Sequence, residues 1–109
     1  MNSQFKKGII ELCVLSFISK KEMYGYELVE EISSYISISE NTIYPILRRL
    51  TKEGNFTTYI KESAGGPPRK YYKVTNQGIG RYKDLASDFK EFIKNVDLIL
   101  NRGEENEKK

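Results

Sequence analysis

The stretch Asn41-Thr42-Ile43-Tyr44-Pro45-Ile46-Leu47-Arg48-Arg49-Leu50-Thr51-Lys52-Glu53-Gly54 puts an apolar stripe and a cationic, hydrogen-bonding face on one helical repeat. Ile43, Ile46, Leu47 and Leu50 fall at i, i+3, i+4 and i+7, so they pin one side of a helix to a core. Asn41, Thr42, Tyr44, Arg48, Arg49 and Lys52 are left facing outward. Such side chains supply the hydrogen bonds and charge that base edges and phosphates take, and a helix fits the DNA major groove. An ordinary solvated face would look similar, so the rest of the chain has to decide. Ser39 is placed to cap this helix through its hydroxyl, and Gly54 to end it in a left-handed turn. Pro45 lies inside it, where the missing amide and the ring should bend the first turns.

Upstream, Ile9 to Ile18 is apolar around most of the helical circumference, interrupted only by Glu11 and Ser16. A helix of that kind needs cover on more than one side, and something besides its own domain is expected to supply part of it. Tyr24-Gly25-Tyr26-Glu27-Leu28 opens a second helix with a stripe of Leu28, Ile32 and Tyr35 or Ile36, broken at Ser37 to Ser39. Tyr24 suits either a phosphate bond through its hydroxyl or a buried ring, and Gly25 suits close helix approach. Downstream, Phe56-Thr57-Thr58-Tyr59-Ile60-Lys61 is rich in β-branched and aromatic residues, as a half-buried strand is. Glu62 to Pro68 is a loop by composition, and Arg69-Lys70-Tyr71-Tyr72-Lys73-Val74 is the returning strand of a β-hairpin. Tyr72 and Val74 share a strand face and read as core.

From Thr75 the period is helical, with Ile79, Tyr82, Ala86, Phe89, Ile93, Val96 and Leu100 stepping alternately by three and four. Leu85, Phe92 and Ile99 widen the seam. A helix over 75–102 would be about 40 Å long, whereas a body built from the residues before it is about 30 Å across. Residues beyond Phe89 therefore lack an intramolecular partner, and a second copy of the chain is the expected one. Ile9, Tyr82, Phe89, Phe92, Ile93, Val96 and Leu100 are the dimerisation candidates.

Among 109 residues the net charge is only +3, but 42–73 hold seven basic side chains against Glu53 and Glu62. From 79 to 109 the signs balance. A basic patch on a nearly neutral chain is the footprint of a docked polyanion. There is no histidine and one cysteine, Cys13, inside an apolar run where it acts as a small hydrophobe. With no paired cysteines, phosphate-cradling glycine loop or nucleophile motif, nothing supports an enzyme, a metal site or a cofactor. No segment approaches the roughly twenty apolar residues of a membrane span and no cleavable signal is evident, so a soluble, cytoplasmic protein without a membrane partner is expected.

Three helices, a hairpin and a long terminal helix describe a mainly α fold with a small β-hairpin: a winged helix-turn-helix over 1–75, a dimerisation helix over 76–102 and a flexible tail over 103–109. The candidate DNA-binding residues are Ser39, Asn41, Thr42, Tyr44, Arg48, Arg49 and Lys52 on the third helix, with Arg69, Lys70 and Tyr71 in the wing. Asn41, Thr42 and Tyr44 are placed for base edges or nearby phosphates, and Arg48, Arg49 and Lys52 for phosphates. Tyr44 has a competing role as a helix-packing aromatic. The rival to DNA binding is a winged-helix module that binds protein.

Tyr24-Gly25-Tyr26-Glu27-Leu28, the Thr42 to Leu50 run with Lys52-Glu53-Gly54, and Gly66-Pro67-Pro68-Arg69-Lys70-Tyr71-Tyr72 with Val74-Thr75 and Gly78 resemble, in order and spacing, the PadR family of bacterial transcriptional regulators, short-tailed type. The resemblance implies a homodimeric repressor on a pseudo-palindromic operator in double-stranded DNA, released by a small lipophilic or aromatic inducer. Drug-sensing relatives line a cavity between subunits with aromatic side chains, commonly including tryptophan, which this chain lacks. Phe5, Phe89 and Phe92 are the candidates for such a cavity, although dimer packing also explains their placement. Asn41 stands where many relatives carry a smaller residue, so operator preference does not carry over.

Overall fold

The structure, a computed structural model, describes the backbone of residues 3–107 and the side chains of 6–103. Its elements are α1 (Ser3–Lys20), β1 (Met23–Tyr24), α2 (Gly25–Ser33), α3 (Glu40–Lys52), β2 (Phe56–Lys61), β3 (Arg69–Val74) and α4 (Asn76–Glu107). The strands form one antiparallel sheet in the order β1-β3-β2. The hairpin is thus the larger part of a three-stranded sheet, because Met23 and Tyr24 pair with Tyr72 and Tyr71 instead of opening α2.

The α1 helix is central. Its Ile10, Val14, Leu15 and Ile18 are buried with Leu28 and Ile32 of α2, Ile43, Ile46, Leu47 and Leu50 of α3, and Phe56 and Tyr72 of the sheet. The α3 stripe expected from periodicity is buried in full. In the turn that follows α2, Ile36 packs on the core, while Tyr35 is exposed. Cover for the other side of α1 comes from α4 of the same chain: Tyr82 and Leu85 pack against the core, and the Ser16 hydroxyl lies 3.4 Å from that of Tyr82.

Local chemistry fixes where the helices begin and end. The Ser39 hydroxyl accepts from the Asn41 amide at 3.0 Å, which caps α3 as expected. At the other end the Asn55 amide reaches back to the Leu50 carbonyl at 2.9 Å and that of Gly54 to Thr51 at 3.1 Å, the Schellman pattern, with Gly54 at φ +92°. Thr75 then starts α4: its hydroxyl accepts from the Gly78 amide at 3.1 Å and donates to the Gly54 carbonyl at 2.7 Å. One threonine therefore caps α4 and ties it to the end of α3.

At 32 residues, α4 is about 48 Å long, against transverse extents for the protein of 27 and 22 Å. It continues to Glu107, past the boundary at 102 expected from sequence. Beyond the part seated on α1, Phe92, Ile93, Ile99 and Leu100 are exposed and Val96 is half-buried. Among the described residues no helix is long and apolar enough to cross a membrane.

Candidate nucleic-acid interface

With its stripe buried, α3 turns a row of exposed side chains directly away from the core: Asn41, Pro45, Arg48 and Lys52, spaced by four, three and four. The two flanks of this row differ. On one flank Tyr44 and Thr51 lean toward α2 and the sheet, and on the other Thr42 and Arg49 lean toward α1.

Tyr44 is half-buried against the core, and a Cβ on Gly25 would lie 2.7 Å from its Cε1. The glycine makes room for the ring, so the packing role of Tyr44 is realised. Beside it sits Tyr72, whose hydroxyl is pushed up first by burial and then by Tyr44, with the Arg48 charge opposing. Arg48 thus lies near the seam between α3 and β3, and among the described residues it makes no ion pair.

Arg49 does not stand beside Arg48 as a second free phosphate contact. Its Nη2 is 3.2 Å from Glu11 Oε1 and its Nη1 is 3.1 Å from Glu53 Oε1. Glu11, buried at 9% exposure, also receives Arg81 Nη2 of α4 at 2.9 Å. Burial alone would loosen the Arg49 proton, but the two carboxylates outweigh it. The Arg49 side chain stays 45% exposed, but a DNA phosphate would have to compete with both carboxylates for its guanidinium. Ser39 is likewise engaged, as the α3 cap, and its hydroxyl bonds the chain itself.

The wing divides its expected residues between two faces, because successive strand residues point to opposite sides of a sheet. Arg69 and Tyr71 lie on the outer face. There the Arg69 guanidinium sits 4.5 Å from the Tyr24 ring centroid, and Tyr71 stacks on Tyr59 at 5.5 Å and leans on Tyr24 at 5.5 Å. The Tyr59 hydroxyl donates to Glu22 at 2.6 Å. Tyr71 is therefore half-buried inside an aromatic row, and the dual reading of Tyr24 resolves into a ring packed between Arg69 and Tyr71. Lys70 lies on the other face, its ammonium 5.8 Å from the Tyr72 ring, on the side of the sheet against which α3 packs. Arg48, Lys52 and Lys70 thus share one side of the molecule, and Arg69 faces away from it.

The α4 candidates fall into two groups. Tyr82 and half-buried Phe89 are seated on α1 of their own chain, while Phe92, Ile93, Val96 and Leu100 continue the same helical face past it. Ile9, Leu12, Leu85, Phe89 and Phe92 line an open apolar groove of about 400 Å³ between α1 and α4. The side chain of Phe5 lies outside the described residues. Reading the sequence missed Glu11 and Arg81, which set the state of Arg49, and it missed the splitting of Arg69 from Lys70. The latter follows from strand alternation and was available from the residues alone.

Residues 14–84 match the profile of the transcriptional regulator PadR-like family. A PadR-like transcriptional regulator of Bacillus cereus superposes with a TM-score of 0.80 at 35% identity, covering 89% of this chain and 96% of that one. The negative transcriptional regulator PadR of Bacillus subtilis is 28% identical over 74 residues, which are 64% of this chain and 41% of that protein. The structure of Bacillus subtilis PadR in complex with operator DNA superposes with a TM-score of 0.60 at 28% identity, over 70% of this chain and 45% of that one.

Proposed function

This chain belongs to the PadR-like family of transcriptional regulators, not to a family of enzymes, and on that footing we propose that it is a homodimeric, ligand-responsive repressor of a pseudo-palindromic operator. Residues 1–75 form the DNA-binding unit and 76–102 the dimerisation helix of a cytoplasmic, bacterial-type protein. The observation that carries the DNA half is the uncompensated row on α3: Asn41, Pro45, Arg48 and Lys52 project from the core, and Lys70 of the wing stands on the same side. Asn41 at the first turn reads base edges, Thr42 contributes a hydroxyl at the flank, and Arg48, Lys52 and Lys70 hold phosphates. Arg49 is reassigned from phosphate contact to holding α3 against α1. The operator complex of the Bacillus subtilis relative supports double-stranded DNA as the partner.

Dimerisation is supported by the apolar face of α4 beyond α1. A two-fold axis would set two α3 helices about one helical turn of DNA apart, roughly 34–36 Å, which requires an inverted repeat in the operator. The groove lined by Ile9, Leu12, Leu85, Phe89 and Phe92 is open on one side, and at about 400 Å³ it has the volume of a small-molecule site. A second copy laid over it would close it around a lipophilic or aromatic inducer.

The test is binding of a fragment from the region upstream of the chain's own gene, followed by fluorescence anisotropy against salt. Arg48→Ala weakens binding on every sequence and lowers the slope of log K against log salt by about 1 for each phosphate that is no longer neutralised, whereas Arg49→Ala leaves the slope unchanged. Affinity independent of salt in the unaltered protein would leave protein binding as the remaining reading of the winged surface.

A further inference from the structure

A helix lying in the major groove has a sugar-phosphate backbone on each side of it, since the groove is about 12 Å wide and a helix with its side chains fills nearly all of that. On the wing flank of α3, Lys70 and Arg48 face one backbone. On the α1 flank the nearest cation, Arg49, is already matched by Glu11 and Glu53. Yet that flank is not bare: Lys7, Asn41, Thr42, Pro45, Ile46 and Arg49 enclose a groove of about 280 Å³ between the first turns of α1 and α3.

Lys7 stands one helical turn before Glu11 on α1, so the two share the face turned toward α3. Glu11 is drawn inward to Arg49 and Arg81, while Lys7 is exposed and, among the described residues, makes no ion pair. We propose that this groove is a second backbone-phosphate site, in which the Lys7 ammonium supplies the charge and the Thr42 hydroxyl donates a hydrogen bond. Its occupant is a phosphate of the strand opposite the one held by the wing, so α3 is clamped from both flanks. The same arrangement gives Glu11 a purpose: by taking up Arg49 it leaves one cation at this site instead of two, and the contact stays releasable.

The inference rests on the DNA-binding reading above. Lys7→Ala, Lys7→Arg and Lys6→Ala are compared with the unaltered protein by anisotropy on a labelled mixed-sequence duplex over a salt series. Lys6 lies next to Lys7 in the chain but outside the groove, which makes it the control for charge alone. The expected result is a decrease of about 0.9 in salt slope per Lys7 removed, hence about 1.8 for a dimer, with the slope kept in Lys7→Arg and in Lys6→Ala. An unchanged slope in Lys7→Ala, or equal decreases in Lys7→Ala and Lys6→Ala, overturns the site while leaving DNA binding intact. If the unaltered protein shows no salt-dependent binding at all, the DNA-binding reading falls and the site falls with it.

Discussion

Replacing Phe92 with aspartate tests the dimer directly. The ring is 57% exposed in the single chain, so more than half of its burial free energy is still to be gained. Full burial of such a side chain is worth about 3 kcal/mol, which leaves about 1.5 kcal/mol per copy and about 3 kcal/mol for a symmetric pair. An unpaired carboxylate put in its place costs at least about 1 kcal/mol more per copy. The dissociation constant should therefore rise by at least about a thousandfold. Leu98 is the matched control: it is 62% exposed, but it points about 120° away from Phe92 and about 160° away from Val96 around α4. Sedimentation velocity over a concentration series should find Phe92→Asp monomeric where the unaltered protein and Leu98→Asp are dimeric, with helicity by circular dichroism equal in all three. A folded Phe92→Asp protein that still sediments as a dimer, or a Leu98→Asp protein that dissociates as readily, would refute the assigned face.

Two further expectations concern the body of the protein. A methyl group at Gly78 would lie 2.2 Å from the carbonyl oxygen of Asn55, a backbone atom that cannot move without shifting the wing, so Gly78→Ala should destabilise by about 1–3 kcal/mol. Thermal melting should show a midpoint lower by several degrees. Burial pushes the Cys13 thiol above its ordinary value, so at any given pH less thiolate is present than in an exposed cysteine. Alkylation should be slow at neutral pH, rise only as the pH passes that ordinary value, and become fast at neutral pH in denaturant. Rapid neutral alkylation of the folded protein would contradict the burial.

How much was legible from the residues can be seen by comparing α3 with the sheet. The α3 stripe, its Ser39 cap and its Gly54 stop are all set by residues within a turn or two of each other, and all appear in the structure. The same holds for the face of α4 that carries Tyr82, Phe89, Phe92 and Val96. By contrast, Met23-Tyr24 is too short to carry a periodic signal and is a strand only because β3 lies beside it. The state of Arg49 is hidden for a similar reason. Its charge reads as outward and free until folding brings Glu11 of α1 to 3.2 Å.

The chain by itself determined where helices form, which face of each is apolar and where positive charge is concentrated, because those properties depend on neighbours three or four residues apart. Only the tertiary structure decided which cations remain available to a polyanion. Among the described residues Arg48, Lys70 and Lys7 are left without a carboxylate, whereas Arg49 is matched by two. The reason is the range of the forces involved: ion pairing acts between segments far apart in sequence, and the packing of α1 among α3, α4 and the sheet brings those segments together.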